Sequence, residues 1–148
     1  MIKIICVGKI KEKYLVEAID EYKKRLSKYT KLELIEVKDE YNGDILKKEQ
    51  ENIQKYINEK DYIITLQIEG ESIDSISFSK EIEKISINYA NIIFIIGGSL
   101  GLSEEIKKLS NKALSFSKMT FPHQLFRVLL LEQIYRAFRI LNNESYHK

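Results

Sequence analysis

With 148 residues, 44% of them apolar, and a single proline, the chain has room for one core in one ordered domain spanning residues 1–148, and no repeat, Gly/Ser-rich or Pro-rich segment divides it. Its lone cysteine, Cys6, excludes an intrachain disulfide and a cysteine metal cluster, and no apolar run approaches the roughly 20 residues that a bilayer-spanning helix requires. The net charge of +2 is too small to argue for a nucleic acid, but it is unevenly spread: residues 1–31 carry nine Lys or Arg against four Asp or Glu, residues 32–95 seven against fourteen, and residues 96–148 eight against four. Basic ends around an acidic middle make a positive patch if the ends meet in space, which suits a polyanionic partner; ordinary solvated helix faces would give the same count.

Apolar runs and helical spacing alternate along the chain. Residues 2–7 read as a strand, with Cys6 as a small buried hydrophobe, and the run is too short for a signal peptide, so a cytoplasmic, non-secreted protein is expected. Leu15, Ala18, Ile19, Tyr22 and Leu26 then recur at helical spacing, and residues 32–37 form a second strand. A helix through Leu46, Glu49, Ile53, Tyr56 and Ile57 leads to a third strand at 62–68, and a helix through Phe78, Ile82 and Ile85 to a fourth at 91–96. Ser103 followed by Glu104 and Glu105 supplies an N-cap and first-turn acids for a short helix, and a weaker strand follows at 112–116. Strand and helix in alternation imply an α/β fold with a mostly parallel sheet between helices. The last helix, from His123 to Leu141, is apolar nearly all round, which predicts burial on both sides: one against the sheet, the other against the same helix of a second copy in a homodimer.

The fourth strand breaks into Gly97, Gly98 and Gly101, at the carboxyl edge where ligands bind in open parallel sheets. The spacing matches neither the dinucleotide fingerprint nor a phosphate loop, and no acid near residues 115–121 could hold a dinucleotide ribose. What remains is a ligand that requires close backbone approach without a phosphate to cradle, or else a tight turn with no ligand at all. The stretch "LSFSKMTFPHQLFRV" adds hydroxyls at Ser115, Ser117 and Thr120 among Phe116, Met119 and Phe121, a loop suited to a flat heterocycle such as adenine; it would also serve as a polar cap on the last helix.

Together, "FIIGGSLGL", "LSFSKMTFPHQLFRVLLLEQIYRAFRI" and the tail "NESYHK" resemble the RlmH family of large-subunit ribosomal RNA methyltransferases, in the SPOUT class of enzymes dependent on S-adenosylmethionine. The opening "MIKIICVGKIKEKY" and the strand "ITLQIEG" fit as well, so the resemblance covers essentially the whole chain. It implies a homodimeric SPOUT fold whose C-terminal part is threaded into a trefoil knot, a feature that no periodicity reveals and that chains generally avoid. It also implies methylation at N3 of pseudouridine 1915 in 23S ribosomal RNA, on the assembled ribosome. Carried over by motif, S-adenosylmethionine would lie among Leu66, Gly97, Gly98, Phe116, Ser117, Lys118, Met119, Thr120 and Phe121, while Tyr146, His147 and Lys148 of the tail would face the substrate.

Methyl transfer from a sulfonium is an in-line displacement governed by positioning, so no metal is expected, and the lack of a long apolar run leaves no membrane partner expected. Loss of the N3 proton frees the nucleophilic lone pair, and His147 is the leading candidate to take it; without the resemblance, His147 would read as part of a flexible terminus. His123 reads as a positioning or substrate-binding residue. Arg127 and Arg136 fall on opposite sides of a helical wheel and cannot serve one surface. Arg136 and Arg139 can share a face with Glu132, and Arg136 is assigned to ribosomal RNA, with a salt bridge to Glu132 as the competing account. The alternatives are a SPOUT-class transfer RNA methyltransferase and a non-catalytic ribosome-binding factor.

Overall fold

The structure is a computed structural model that describes residues 1–148. Five strands alternate with five helices: β1 (Ile2–Val7), α1 (Lys13–Leu26), β2 (Leu32–Val37), α2 (Ile45–Gln54), β3 (Tyr62–Ser72), α3 (Ser75–Asn88), β4 (Ile92–Ile96), α4 (Glu104–Leu109), β5 (Lys112–Ser115) and α5 (His123–Leu141). The strands form one sheet in the order β2-β1-β4-β3-β5, and every pairing is parallel. All carboxyl ends therefore lie along one edge, and the loops after β1, β4 and β5 meet there.

Central β4 reads Ile-Ile-Phe-Ile-Ile and is buried throughout, as a parallel strand covered on both faces should be. On one face Ile4, Cys6, Ile64, Phe94 and Leu114 pack with Leu15, Ile19 and Leu26 of α1, Phe78, Ile82 and Ile85 of α3, and Leu130, Leu131 and Ile134 of α5. On the other, Ile5, Val7, Ile93 and Ile95 pack with Ile53 of α2 and Ile106 of α4. Burial pushes the Cys6 thiol up to about 12, which makes it an inert core residue. Asp44, Asp74 and Ser103 cap α2, α3 and α4 by accepting from the amides of Lys47, Ser77 and Ile106.

Strand β3 runs to Ser72, beyond the expected end at residue 68. Its sequence there, Glu-Gly-Glu-Ser, reads as a turn, but a register shift between Leu66 and Glu71 lets both residues pair with Leu114 of β5. Gly70 permits the close approach: a Cβ at that position would sit 2.7 Å from the Leu114 carbonyl carbon. The bulge pushes Gln67, Ile68 and Glu69 out toward the carboxyl-edge loops.

Helix α5 buries Arg127, Leu130, Leu131, Ile134, Tyr135 and Ala137 against the sheet. Leu125 is exposed, and Leu129, Glu132, Arg136 and Ile140 are only half-buried on its other side. Arg127 and Arg136 thus take opposite sides, as their spacing requires.

Candidate active site

The glycine loop after β4 closes on itself. The Gly101 amide donates to the Gly98 carbonyl at 3.0 Å, and Gly101 adopts φ +77°, a left-handed conformation suited to glycine. A Cβ on Gly97 would run into the Gly101 carbonyl group. Beside this loop opens a cavity of about 360 Å³, within the usual range for small-molecule sites. Gly97 and Gly98 form one side, Leu66 another, and Phe116, Ser117, Met119, Thr120 and Phe121 a third, with His123 also on the lining. The bulged strand adds Gln67 to Glu69, and the loop's return adds Leu100 to Leu102 and Lys107. Lys107 pairs with Glu69 at 3.4 Å across the rim. Lys118 is exposed and outside the lining, on the bend that forms where the Ser117 hydroxyl accepts from the Met119 amide at 2.9 Å.

A second cavity, of about 410 Å³, touches the first: Leu114, Ser115 and Phe116 line both. Its other lining residues include Asp74, Ser75, Gln133 and His147. The tail reaches it through α5. Arg136 donates to both carboxylate oxygens of Glu132, at 3.1 and 3.2 Å, and its Nη1 lies 3.1 Å from His147 Nδ1. A guanidinium only donates, so this contact makes Nδ1 an acceptor and leaves the proton on Nε2. The Tyr146 hydroxyl donates to Glu132 at 2.8 Å. Burial, and then the Glu132 carboxylate, push that phenol up to about 12, so it stays protonated at neutral pH. Lys148 is exposed and makes no ion pair. Arg139 does not reach Glu132; where the chain turns back after α5 it pairs instead with Glu144 at 2.7 Å.

The chain matches the family described as "Predicted SPOUT methyltransferase" over residues 1–147. It belongs to the SPOUT methyltransferase family. A relative from Clostridium botulinum (strain Alaska E43 / Type E3), 55% identical over 99% of each chain, is named ribosomal RNA large subunit methyltransferase H. One from Methanococcus vannielii, 56% identical over 99% of each chain, carries the same name as a provisional assignment. A solved structure of a probable methylase family protein from Haemophilus influenzae Rd KW20 shares the fold, with a TM-score of 0.61 at 15% identity, covering 99% of this chain and 70% of that one. The family is the one to which the two C-terminal motifs pointed.

In this SPOUT methyltransferase the first cavity has the lining that a methyl donor requires. Its walls of Leu66, Leu102, Leu114, Phe116 and Phe126 suit a flat neutral ring, its open glycine backbone and the hydroxyls of Ser115, Ser117 and Thr120 offer hydrogen bonds, and nothing in it is built for a phosphate. The residues fit S-adenosylmethionine. No group of three or more His, Cys, Asp or Glu is placed to hold a metal ion, and no helix is long and apolar enough to cross a membrane.

One arginine role was not legible in the sequence. Arg127 is fully buried, donating to Glu36 at 2.7 Å and to the carbonyls of Val7 and Gly8 at 2.8 and 2.7 Å. It fastens the start of α5 to the ends of β1 and β2. A Cβ on Gly8 would sit 3.8 Å from both Arg127 Nη2 and His123 Nε2, so His123 shares this corner with the guanidinium. Burial first, and then the Arg127 charge, hold the His123 imidazole below its ordinary 6.5, with Asp39 opposing. The unfolded chain takes up that proton near 6.5 while the folded chain resists it, so stability falls as pH drops below about 6.5 and levels off under the folded value. His123→Gln is expected to flatten this acid limb, read as the midpoint of urea unfolding at a series of pH values from about 7 down to 5.

Proposed function

We propose that this SPOUT methyltransferase transfers a methyl group from S-adenosylmethionine to N3 of a pseudouridine in 23S ribosomal RNA, pseudouridine 1915 in the family's numbering of that RNA, on the assembled ribosome in the cytoplasm. The observation that carries this reading is the shared wall: a donor-sized cavity and a cavity bearing the tail histidine meet at Leu114, Ser115 and Phe116. A nucleoside base in the second cavity would therefore lie next to a donor in the first, the juxtaposition that an in-line displacement demands. The names of the full-length relatives support ribosomal RNA as the substrate.

When bound, S-adenosylmethionine supplies an electrophilic methyl on a sulfonium; the S–CH₃ bond breaks, an N–CH₃ bond forms at N3, and the N3 proton leaves. Leu66, Gly97, Gly98, Phe116, Ser117, Met119, Thr120 and Phe121 would hold the donor, and Lys118 would contribute from outside the cavity wall. Tyr146, protonated and fixed on Glu132, keeps the tail in place. His147, with Nδ1 accepting from Arg136, offers Nε2–H to a base carbonyl. To accept the N3 proton, its imidazole has to release Arg136 Nη1, which then becomes free for the substrate or a phosphate while Glu132 keeps the rest of the guanidinium. Lys148 would serve the substrate side, and so would His123, from its place on the lining of the first cavity. The outer side of α5, where Leu125 is exposed and Leu129 and Ile140 are half-buried, supports a homodimer packed through this helix, while a knot in the C-terminal part of each chain rests on membership of the family alone.

The test is transfer of labelled methyl from S-adenosylmethionine to ribosomes lacking the modification, beside free ribosomal RNA and transfer RNA. Label confined to the large-subunit RNA of assembled particles is the expected result. Label on transfer RNA, or none anywhere, would overturn the substrate assignment.

A further inference from the structure

The last seven residues, Asn-Asn-Glu-Ser-Tyr-His-Lys, form a short polar terminus with no regular secondary structure, the kind of segment that usually frays. Here it is tied down by a residue from the other end of the chain. Tyr29, in the connection between α1 and β2, donates its hydroxyl to Glu144 Oε1 at 2.6 Å, and its ring stacks on Phe138 of α5 with centroids 5.7 Å apart and planes inclined by 10°. Arg139 donates through Nη1 to Glu144 Oε2 at 2.7 Å and through Nη2 to the Ser145 carbonyl at 3.0 Å. The Glu144 amide returns a hydrogen bond to the Arg139 carbonyl at 2.9 Å. Asn143 makes the reversal with φ 54°, a left-handed conformation that asparagine tolerates. Tyr29 and Arg139 thus hold both oxygens of one carboxylate, while a second arm of Arg139 grips the backbone one residue on. An isolated surface ion pair would be worth little, but this arrangement fixes orientation as well as distance. The Tyr29 hydroxyl first, and the Arg139 charge among the rest, hold the Glu144 carboxyl below the usual range.

We propose that Tyr29, Arg139 and Glu144 form a clamp that positions Tyr146 and His147 for methyl transfer, although none of the three lies on the lining of either cavity. The inference rests on the tail's role in the function proposed above. The clamp sits directly before the working residues: two positions beyond Glu144, Tyr146 meets Tyr135 edge to face at 5.0 Å, and His147 then reaches Arg136. Release of Glu144 would leave those inner contacts to hold the tail alone, and small misplacements of reacting groups are costly: a shift of about 1 Å can slow a reaction by about 100-fold.

The experiment uses the full-length protein with Tyr29→Phe, Glu144→Gln and the double variant, with His147→Ala in parallel. Backbone ¹⁵N relaxation should show greater mobility for residues 144–148 in each clamp variant. Turnover on ribosomes should fall about 10-fold to 100-fold, with the dissociation constant for S-adenosylmethionine unchanged. The double variant should be no slower than the worse single one, because both remove the same link. Tail mobility equal to that of the wild type overturns the clamp on its own, without reference to activity. Wild-type turnover in the clamp variants while His147→Ala is slow overturns the positioning role and leaves the proposed function standing. Wild-type turnover in His147→Ala overturns the tail's part in the proposed function, and the positioning role with it.

Discussion

Alanine at Gly97 is expected to weaken binding of the methyl donor by at least about 100-fold, equivalent to roughly 2.8 kcal/mol, and to remove methyl transfer. The added Cβ would run into the Gly101 carbonyl group and would also lie 3.1 Å from Leu102 Cδ2. The colliding atoms are backbone and cannot swing aside as a flexible side chain could. Relief requires opening the Gly98–Gly101 turn, whose atoms form one wall of the first cavity. The neighbouring glycines grade the prediction. At Gly98 a Cβ would press on Val7 Cγ1 at 3.0 Å, a buried side-chain atom, and so a wider contact than the backbone collision at Gly97. At Gly101 there is nothing within 4 Å, but the φ of +77° would cost a side chain roughly 1–2 kcal/mol. Calorimetric titration of S-adenosylmethionine into the three alanine variants should therefore find Gly97→Ala the most damaged. Wild-type affinity in Gly97→Ala would mean that the donor binds elsewhere.

Arg127→Met is expected to destabilise the fold by about 3–5 kcal/mol, measured by urea unfolding. The substitution keeps much of the side chain's apolar volume while removing three donated hydrogen bonds, so the carbonyls of Val7 and Gly8 lose a partner and Glu36 loses its ion pair. Glu36 keeps some access to water and still accepts from the Ile10 amide at 2.8 Å, which places the loss toward the lower end. Adding Glu36→Gln should recover part of it, because an unpaired carboxylate no longer has to be accommodated. Arg127→Lys should fall between, since one ammonium cannot reproduce a planar fork that reaches Glu36 and two carbonyls at once. A loss below about 1 kcal/mol in Arg127→Met would show that the buried guanidinium is not what joins α5 to the strand ends.

The architecture was legible because burial on both sheet faces writes itself as short Ile- and Val-rich runs, and amphipathic packing as spaced Leu, Ile and Phe. Ser103 with its two acids marked α4 correctly because a cap is local chemistry. Long-range relationships were not legible. The extension of β3 depends on Gly70 meeting the backbone of β5, and Glu-Gly-Glu-Ser by itself signals a turn. On the lining of the first cavity the glycine and Phe-rich loops could be read, but Gln67 to Glu69 enter only through that bulge, and Leu100, Leu102 and Lys107 only through the loop's return. Spacing was enough to separate Arg127 from Arg136 but not to say that Arg127 would be sealed against the carbonyl ends of β1. Arg139 looked like a companion of Arg136 and instead met Glu144, through a chain reversal and a tyrosine far away in sequence.

The strand order has a consequence for synthesis. Strand β1 leaves the ribosome first and can pair with β2 as soon as α1 has formed, but its other edge waits for β4, with Ile2 paired to Ile92 and Cys6 to Ile96. At ordinary elongation rates that interval is on the order of ten seconds, during which an apolar strand edge stands open in a partly made chain. The acidic segment translated in between carries fourteen of the chain's 22 Asp and Glu residues. Against the +5 of residues 1–31, the −7 of this segment leaves the emerging chain near neutral, so charge does little to protect the edge; what covers the apolar face of β1 in the meantime is α1, through Leu15, Ile19 and Leu26.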